Sequence, residues 1–384
     1  MILGWLGLYF VFLIPLISFA AAAYLIKFST FDLIRPSDKN RFSTLDGLRG
    51  YLAILVFAHH CIIWYEYLKS DNWFSPEFAV YNNIGESSIA LFFMITAFLY
   101  TNKFLNTKEQ KVNWWVLYRS RVARILPLYF VSHVMVVIIV LIITKATLNE
   151  SVYDFIINML SWYKFKGPTP DLNGVKNTFL INAGVNWSLY WEWIFYFSLP
   201  WISLALGFRT SLWYLILATV IVISAFNSSL LYIPPFMVGI VTAFVIRNDF
   251  LVNIFKKNIL GFIAFLLLIF EVTYFYSVHG WIQSLLLGIF FITIVVNNDF
   301  FKVFKVRASQ FLGTISYSIY LLHGIVLFVS FRLIIGTNVA KTFSVFEYLM
   351  LNLAIAVFIV AVSALTYKFI EYPFLKKYHT TIRK

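Results

Sequence analysis

The sequence predicts an all-α fold, a polytopic bundle of transmembrane helices, and three observations lead to that class. Of the 384 residues, 61% are hydrophobic and only 12% are charged. The mean hydropathy is +0.82, outside the balance of apolar and charged residues that soluble domains keep. Apolar runs near the length of about twenty residues that a membrane helix needs recur along the whole chain.

Taken in order, the apolar runs predict about eleven spans. They cover roughly residues 4–26, 48–66, 86–102, 123–144, 187–206, 210–226, 229–247, 257–277, 280–297, 312–335 and 347–369. The first run has positive residues after it and none before it, the reverse of a signal peptide, so we expect a retained anchor. The longest connection, residues 145–186, predicts an interfacial helix around 153–163 and then turns.

The basic residues between the spans predict the orientation. The net charge is +13, and it is concentrated in alternate connections. These contain Lys27, Arg35, Lys39, Arg41, Lys103, Lys108, Lys111, Arg119, Arg209, Arg247, Lys256, Lys257, Lys302, Lys305, Arg307, Lys376, Lys377, Arg383 and Lys384. The opposite connections lie around Asp71, Glu77, Asn227, His279 and Lys341. The positive-inside rule then places the amino terminus outside and the carboxyl terminus in the cytoplasm, and it explains the charge without a nucleic acid.

Several chemistries are excluded at this stage. Cys61 is the single cysteine, so it forms no internal disulfide, and its apolar surroundings indicate a small core residue rather than a catalytic thiol. The chain has no phosphate-binding loop, no nucleophile-elbow serine and no zinc-protease motif. We therefore expect neither a metal site nor a bound cofactor.

The stretch LDGLRGYLAILVFAHH carries the first candidate site. Arg49 and His60 are eleven positions apart, so on a helix they share one face at a separation of roughly 16 Å, and Asp46 precedes them. An ionisable residue at that depth in a membrane indicates a functional site. A structural histidine is the alternative, and His59, which lies off that face, is the better candidate for that role.

The stretch YRSRVARILPLY opens the fourth span with Arg119, Arg121 and Arg124. Arg121 and Arg124 are one turn apart on one face, as two guanidiniums that grip a polyphosphate must be. The three arginines are therefore candidates for binding a phosphorylated donor. The alternative is that they only enforce topology or contact lipid phosphates.

The stretch NWSLYWEWIFYFSLP places Glu192 about 8 Å below the outer end of the fifth span. A carboxylate among tryptophans such as Trp187 is costly unless it is paired or hydrated. Aromatic ring faces beside a carboxylate also suit a sugar, so these residues predict an acceptor site. An interfacial aromatic belt is the alternative.

The stretch GTISYSIYLLHGIVLF places Ser316, Tyr320 and His323 along one face of the tenth span. His323 then lies about 20 Å from the cytoplasmic end, close to the depth of His60. We expect the two histidines to meet in one layer, although a structural hydrogen bond between spans would explain His323 equally well.

Taken together and in order, these stretches resemble the acyltransferase-3 family of polytopic membrane acyltransferases. LFFMITAFLY and the terminal EYPF complete the pattern, and the resemblance covers about residues 43–375. Families of this kind are bacterial inner-membrane enzymes, with some eukaryotic relatives. They move an acyl group from cytoplasmic acyl-CoA to a sugar hydroxyl presented outside.

The resemblance implies roles for matched positions. Arg49 and His60 match the arginine-histidine pair, Arg121 and Arg124 match the R-x-x-R, Glu192 matches the acidic position after the tryptophan, and His323 matches the late histidine. Where the family often has an acid and a glycine, this chain has Ala90 and Ala97. The acid that would orient the histidine is therefore missing from its usual place, and Glu86, one turn earlier, is the substitute that we predict.

The resemblance also divides the chain. It implies an additional amino-terminal anchor with its connection at 1–42, a ten-helix acyltransferase domain at 43–375 without an appended soluble domain, and a basic tail at 376–384. The expected reaction is O-acylation, most commonly acetylation, of a cell-surface polysaccharide, a lipopolysaccharide or a lipid-linked oligosaccharide. The expected catalytic residues are His60 as general base, Arg49 and Glu86; the donor residues are Arg119, Arg121 and Arg124; and the acceptor-side residues are Trp187, Glu192, Tyr320 and His323.

The expected partners are acyl-CoA as co-substrate, a glycan acceptor and membrane lipid, with no nucleic acid. Direct transfer and an acyl-histidine intermediate both remain open. A transporter or flippase would also bury charges among aromatic rings, but inverted repeats and interrupted helices are not detectable in the sequence. A purely structural or sensor protein would not need Arg49, Glu192 and two histidines inside membrane spans.

Overall fold

The computed structural model describes residues 4–28, 42–76, 78–107, 111–166, 169–225, 230–275, 277 and 280–382. Within these ranges the chain forms sixteen α-helices joined by short 3₁₀ and π-helical turns, with no β-strand, so the predicted all-α class is confirmed. The helices are α1 (Gly4–Phe28), α2 (Ser43–Ser70), α3 (Ala79–Asn106), α4 (Trp114–Ile143), α5 (Val152–Ser161), α6 (Asn186–Ala205), α7 (Leu212–Ala225), α8 (Ile233–Val245), α9 (Asp249–Phe255), α10 (Asn258–Tyr274), α11 (Trp281–Val295), α12 (Arg307–Thr314), α13 (Ser316–Phe328), α14 (Thr337–Ala340), α15 (Val345–Thr366) and α16 (Tyr372–Ile382).

The structure does not establish the predicted eleven spans. By length and composition, 6 helices of the described chain are able to cross a membrane, or up to 8 if each of two bent pairs counts as one span. The helices α7 and α10 are apolar but only 14 and 17 residues long. The polar and aromatic α6 is not among the candidate spans. These three account for the difference from the predicted count.

Two helical pairs are bent, which the sequence did not reveal. The axis turns by 112° between α8 and α9, and by 74° between α11 and the 3₁₀ turn Asp299–Lys305. Both bends fall at the ends of the spans that the sequence predicts.

The helices α2 and α3 form the centre of the bundle, and α2 also packs against α12 and α13. In each of α2 and α3, 78% of the most apolar window is buried, against 44% in α4. The helix α12 approaches α2 so closely that residue 313 has to be glycine, because a Cβ on Gly313 would lie 1.7 Å from the Asp46 carbonyl oxygen. Small residues at such contacts are a common basis of helix packing in membranes. The chemistry-bearing stretches of α2 and α13 are therefore held together in the core.

Contacts between connections agree with the predicted alternation. Lys341 Nζ lies 2.6 Å from Asp71 Oδ2, so two connections that we assigned to one side are joined there. At the opposite end, the backbones of Lys111 and Arg209 form an isolated β-bridge, and the sequence had assigned both residues to one side. Which side is cytoplasmic stays a prediction. Of the residues used for orientation, Arg35, Lys39, Arg41, Glu77, Lys108, Asn227, His279, Arg383 and Lys384 lie outside the described residues.

The long connection before α6 folds back into the bundle. The expected interfacial helix is α5, which ends in a 3₁₀ turn at Trp162–Lys164. Beyond it, the 3₁₀ turn Thr178–Asn182 carries side chains that are almost fully buried, such as Ile181 at 0% exposure. This segment therefore forms part of the wall around the centre of the bundle.

Candidate active site

His60 of α2 and His323 of α13 lie side by side in one layer of the bundle. His323 Nε2 is 3.1 Å from His60 Nδ1, and the ring centroids are 4.8 Å apart. His323 is fully buried, whereas His60 keeps partial exposure. The sequence had placed the two histidines at a similar depth by counting residues along each predicted span. The structure brings them into contact.

The hydrogen bonds around the pair determine which nitrogens carry protons. His323 Nδ1 faces the Ile319 carbonyl oxygen at 3.2 Å, so it donates and leaves Nε2 as an acceptor. His60 Nδ1 faces the Val56 carbonyl oxygen at 2.9 Å and His323 Nε2 at 3.1 Å, which both accept. In the neutral pair, these contacts favour a proton on His60 Nδ1 and a lone pair on His60 Nε2, the form that a general base requires.

A close contact with the folded-back connection holds His323 in place. A Cβ on the next residue, Gly324, would lie 2.3 Å from the backbone carbon of Asn182, so only glycine allows this approach. One turn before His323, Tyr320 Oη lies 2.7 Å from Ser188 Oγ and donates to the Val185 carbonyl oxygen at 3.1 Å. Contacts with the start of α6 therefore fix the helix that carries His323.

A cavity with both polar and apolar walls lies near this pair: Tyr320 lines it, and the ring centroid of Tyr320 is 6.1 Å from that of His323. It has a volume of about 70 Å³, enough for a few water molecules, and Arg49, Arg124, Glu192 and Tyr320 line it. Four residues that come from four different helices and that the sequence singled out separately thus meet around one space.

Two further cavities continue from it toward the start of α2. The first has a volume of about 230 Å³ and shares Arg49, Arg124 and Glu192 with the inner cavity. The second, of about 460 Å³, shares Arg49 and is also lined by Asp46 and Lys103. Shared lining residues thus link the three cavities in a series from the basic end of the bundle to Tyr320.

Aromatic rings hold Arg121, one of the arginines along this series. The guanidinium of Arg121 lies 5.5 Å from the ring centroid of Tyr100 and 5.8 Å from that of Tyr196. Tyr196 donates a short hydrogen bond to Glu192. Arg49 Nε is buried and has no hydrogen-bond partner among the described residues. The arginines share these cavities with the carboxylate of Glu192, and the Nε of Arg49 is left as a donor for a polyanionic ligand.

The structure separates Arg119 from the other two arginines. Its side chain is exposed, packs at 5.8 Å over Trp115 and lines an outer groove with Phe130 and Phe374, away from the cavities. The structure therefore does not bring Arg119 together with Arg121 and Arg124, because positions two apart on a helix point in nearly opposite directions.

Glu86 is not the partner of His60 Nδ1 that we predicted. Its carboxylate accepts from Asn82 Nδ2 at 2.7 Å and from Ser277 Oγ at 3.4 Å. The nitrogen is instead occupied by His323 and a backbone carbonyl. Ala90, at the position where the family often has an acid, is buried in helix packing and offers no hydrogen bond.

The predicted acceptor-side residues divide into three groups. Glu192 and Tyr320 line the inner cavity, and His323 joins His60. Trp187 packs against Tyr232 with the ring centroids 5.0 Å apart, and it does not line that cavity. His59 bonds through Nδ1 to the Tyr81 carbonyl oxygen at 2.7 Å, which fits the structural role we expected.

The sequence did not reveal two residues next to this site. Trp73 stacks on His60 with centroids 6.3 Å apart and an interplanar angle of 28°. Glu371 is 1% exposed and accepts a short hydrogen bond from Ser318 in α13. The sequence did contain a signal for Glu371, which is the acid of the EYPF stretch. An acid within an apolar terminal span is costly unless it has a partner. Nothing local in the sequence marked Trp73.

The fold and the site together define a multi-pass helical membrane protein with a paired-histidine centre beside an arginine-lined series of cavities. The profile of the family described as an acyltransferase domain matches residues 42–368, so the chain belongs to the acyltransferase-3 family. Over 161 residues the chain is 27% identical to acyltransferase MdmB of Streptomyces mycarofaciens. That alignment covers 42% of this chain and 38% of the relative, well under half of either. No solved structure matches the chain.

Proposed function

We propose that this protein is a membrane O-acyltransferase that moves an acyl group, acetyl by family frequency, from cytoplasmic acyl-CoA to a sugar hydroxyl outside. The observation that carries the proposal is the His60–His323 pair beside the arginine-lined cavities. A base that keeps a lone pair and an adjacent site for a polyanion are the two parts that such a reaction needs.

The donor enters from the basic end. Arg121 and Arg124 bind the CoA phosphates, and the partnerless Nε of Arg49 gives a further contact along the series of cavities. The pantetheine arm is extended, so it carries the thioester toward Tyr320 and the histidine pair. This arrangement spans the roughly 16 Å between Arg49 and His60 on α2.

His60 then acts as the general base. Its Nε2 takes the proton of the acceptor hydroxyl while the hydroxyl oxygen bonds to the thioester carbon. The carbon–sulfur bond breaks, the ester remains on the sugar, and the CoA thiolate takes the proton back from His60. His323 accepts from His60 Nδ1 and thereby keeps the ring in the required tautomer.

The test uses purified protein with radiolabelled acetyl-CoA and a cell-envelope extract. Wild type is expected to transfer label to a glycan, and His60→Ala to abolish that transfer. His59→Ala is the matched control, because it removes a neighbouring imidazole bonded to a backbone carbonyl. Full transfer by His60→Ala would refute the proposed base.

The alternative from another class is a transporter or flippase for a glycan or an anion. The buried charges suit it, but a transporter leaves the thioester intact. CoA release in the same assay therefore discriminates between the two. We further propose that the protein lies in a bacterial inner membrane, with its amino terminus outside and its carboxyl terminus in the cytoplasm.

A further inference from the structure

We infer that Trp73 shields His60 from outside water and thereby decides between acyl transfer and thioester hydrolysis. The inference rests on the proposed function and adds a residue that controls how the thioester is used. It starts from the stacking of Trp73 on His60, whose rings are nearly parallel with their centroids 6.3 Å apart.

The local structure explains how a loop residue reaches the centre of the bundle. The helix α2 ends at Ser70, and Asp71 adopts a left-handed conformation with φ 59°, which reverses the chain. The carboxylate of Asp71 is bonded to Lys341 at 2.6 Å, so the turn is tied to another connection. Trp73 is consequently directed back along α2 toward His60.

Aromatic neighbours fix the orientation of the indole. Trp73 meets Trp64 and Tyr67 edge to face, with ring centroids 5.6 and 5.8 Å apart, on the last turns of α2. Phe179 of the folded-back connection approaches it from the other side, at 6.4 Å. Edge-to-face contacts of this kind hold a ring in one orientation. The ring remains partly exposed, so it stands between His60 and the exterior.

The position of Trp73 matters because His60 can activate water as well as a sugar hydroxyl. When no acceptor is bound, water that reaches His60 Nε2 is activated in the same way as a sugar hydroxyl. Its oxygen bonds to the thioester carbon, the carbon–sulfur bond breaks, and a free carboxylic acid and CoA thiol result. Excluding water from the active site is the established means of preventing this loss. Trp73 is thus a positioning residue that makes transfer depend on the acceptor.

The first experiment measures CoA release from acetyl-CoA without any acceptor. Trp73→Ala is expected to raise this release several-fold over wild type, and Trp73→Phe to raise it less, because a smaller ring remains. The double variant Trp73→Ala/His60→Ala should lose the gain. Trp281→Ala is the matched control: this tryptophan is 60% exposed at the start of α11, a predicted outer end, and its removal should change nothing.

The second experiment does not depend on catalysis. Diethyl pyrocarbonate modifies unprotonated imidazoles, and peptide mass spectrometry reports its rate of reaction with His60. Trp73→Ala should accelerate that reaction several-fold, whereas Trp281→Ala should leave it unchanged.

The two readouts separate this inference from the proposed function. An unchanged modification rate in folded Trp73→Ala would overturn the inference while leaving the proposed transfer intact. Faster modification without faster CoA release would also overturn it, because Trp73 would then cover His60 without controlling hydrolysis. If wild type itself transferred no acyl group, both proposals would fall.

Discussion

His323 Nε2 lies 3.1 Å from His60 Nδ1, although 263 positions separate the two residues in the chain. The contact makes His323 the acceptor for the proton on His60 Nδ1, the place that a carboxylate holds in many catalytic triads. A neutral imidazole accepts without adding a charge to the membrane interior, where charges are costly.

Replacing His323 tests this relationship. His323→Ala removes the acceptor that fixes the ring of His60, so the base adopts the wrong tautomer or orientation. We expect kcat to fall by about a hundredfold, the effect of misplacing a reacting group by 1 Å. The KM for acyl-CoA should stay unchanged, since His323 does not line the arginine cavities. Steady-state kinetics with labelled acetyl-CoA separates the two constants, and a large rise in KM alone would contradict the role.

The arginines are expected to act on donor binding. Each charge-assisted contact contributes about 1.5–3 kcal/mol, so Arg124→Gln should raise the KM for acyl-CoA by roughly ten- to a hundredfold. Arg121→Gln should act in the same direction. Arg119→Gln is the matched control, because its side chain lies outside the cavities. Equal effects of all three substitutions would contradict a role in donor binding and would indicate that the arginines only orient the protein in the membrane.

Gly324 is expected to tolerate no side chain. Gly324→Ala would place a Cβ 2.3 Å from the backbone carbon of Asn182, so α13 must move and carry His323 with it. Overpacking of this kind costs about 1–3 kcal/mol of stability. We expect a lower unfolding temperature together with a loss of transfer. Activity and melting curves like those of wild type would mean that the connection yields instead.

The predicted orientation is testable at the ion pair between Asp71 and Lys341. The single native cysteine is fully buried, so it provides a silent background for labelling. In intact cells, Asp71→Cys and Lys341→Cys are expected to react with a membrane-impermeant maleimide. Lys103→Cys, at the opposite end, should react only after the cells are permeabilised. The reverse pattern would invert the topology.

The sequence predicted the helices well because their signals are local. Hydropathy over about twenty residues identifies a span, and helical periodicity puts Arg49 and His60 on one face. Depth counted along two spans was enough to place His60 and His323 in one layer. The same periodicity separates Arg119 from Arg121 by about 200°, in agreement with their separation in the structure.

Other features could not be predicted because they depend on contacts between distant segments. Trp73 reaches His60 only because Asp71 reverses the chain and Lys341 holds the turn. Glu86 was assigned to His60 from its depth, but Asn82 and Ser277 bind it instead. The count of eleven spans is not established, because α7 and α10 are apolar yet short and α6 is not among the candidate spans.

The hydrogen bonds of the histidine pair have an energetic consequence. In the described chain, His60 and His323 bond to carbonyl oxygens and to each other, with no carboxylate among these contacts. A proton that His60 takes up therefore finds no counter-ion, and a buried cation of that kind is short-lived. In the proposed reaction, the proton would have to return to the departing thiolate within the same turnover. The acyl group would then cross the bundle as an electrically neutral group, and the transfer would do no work against the membrane potential.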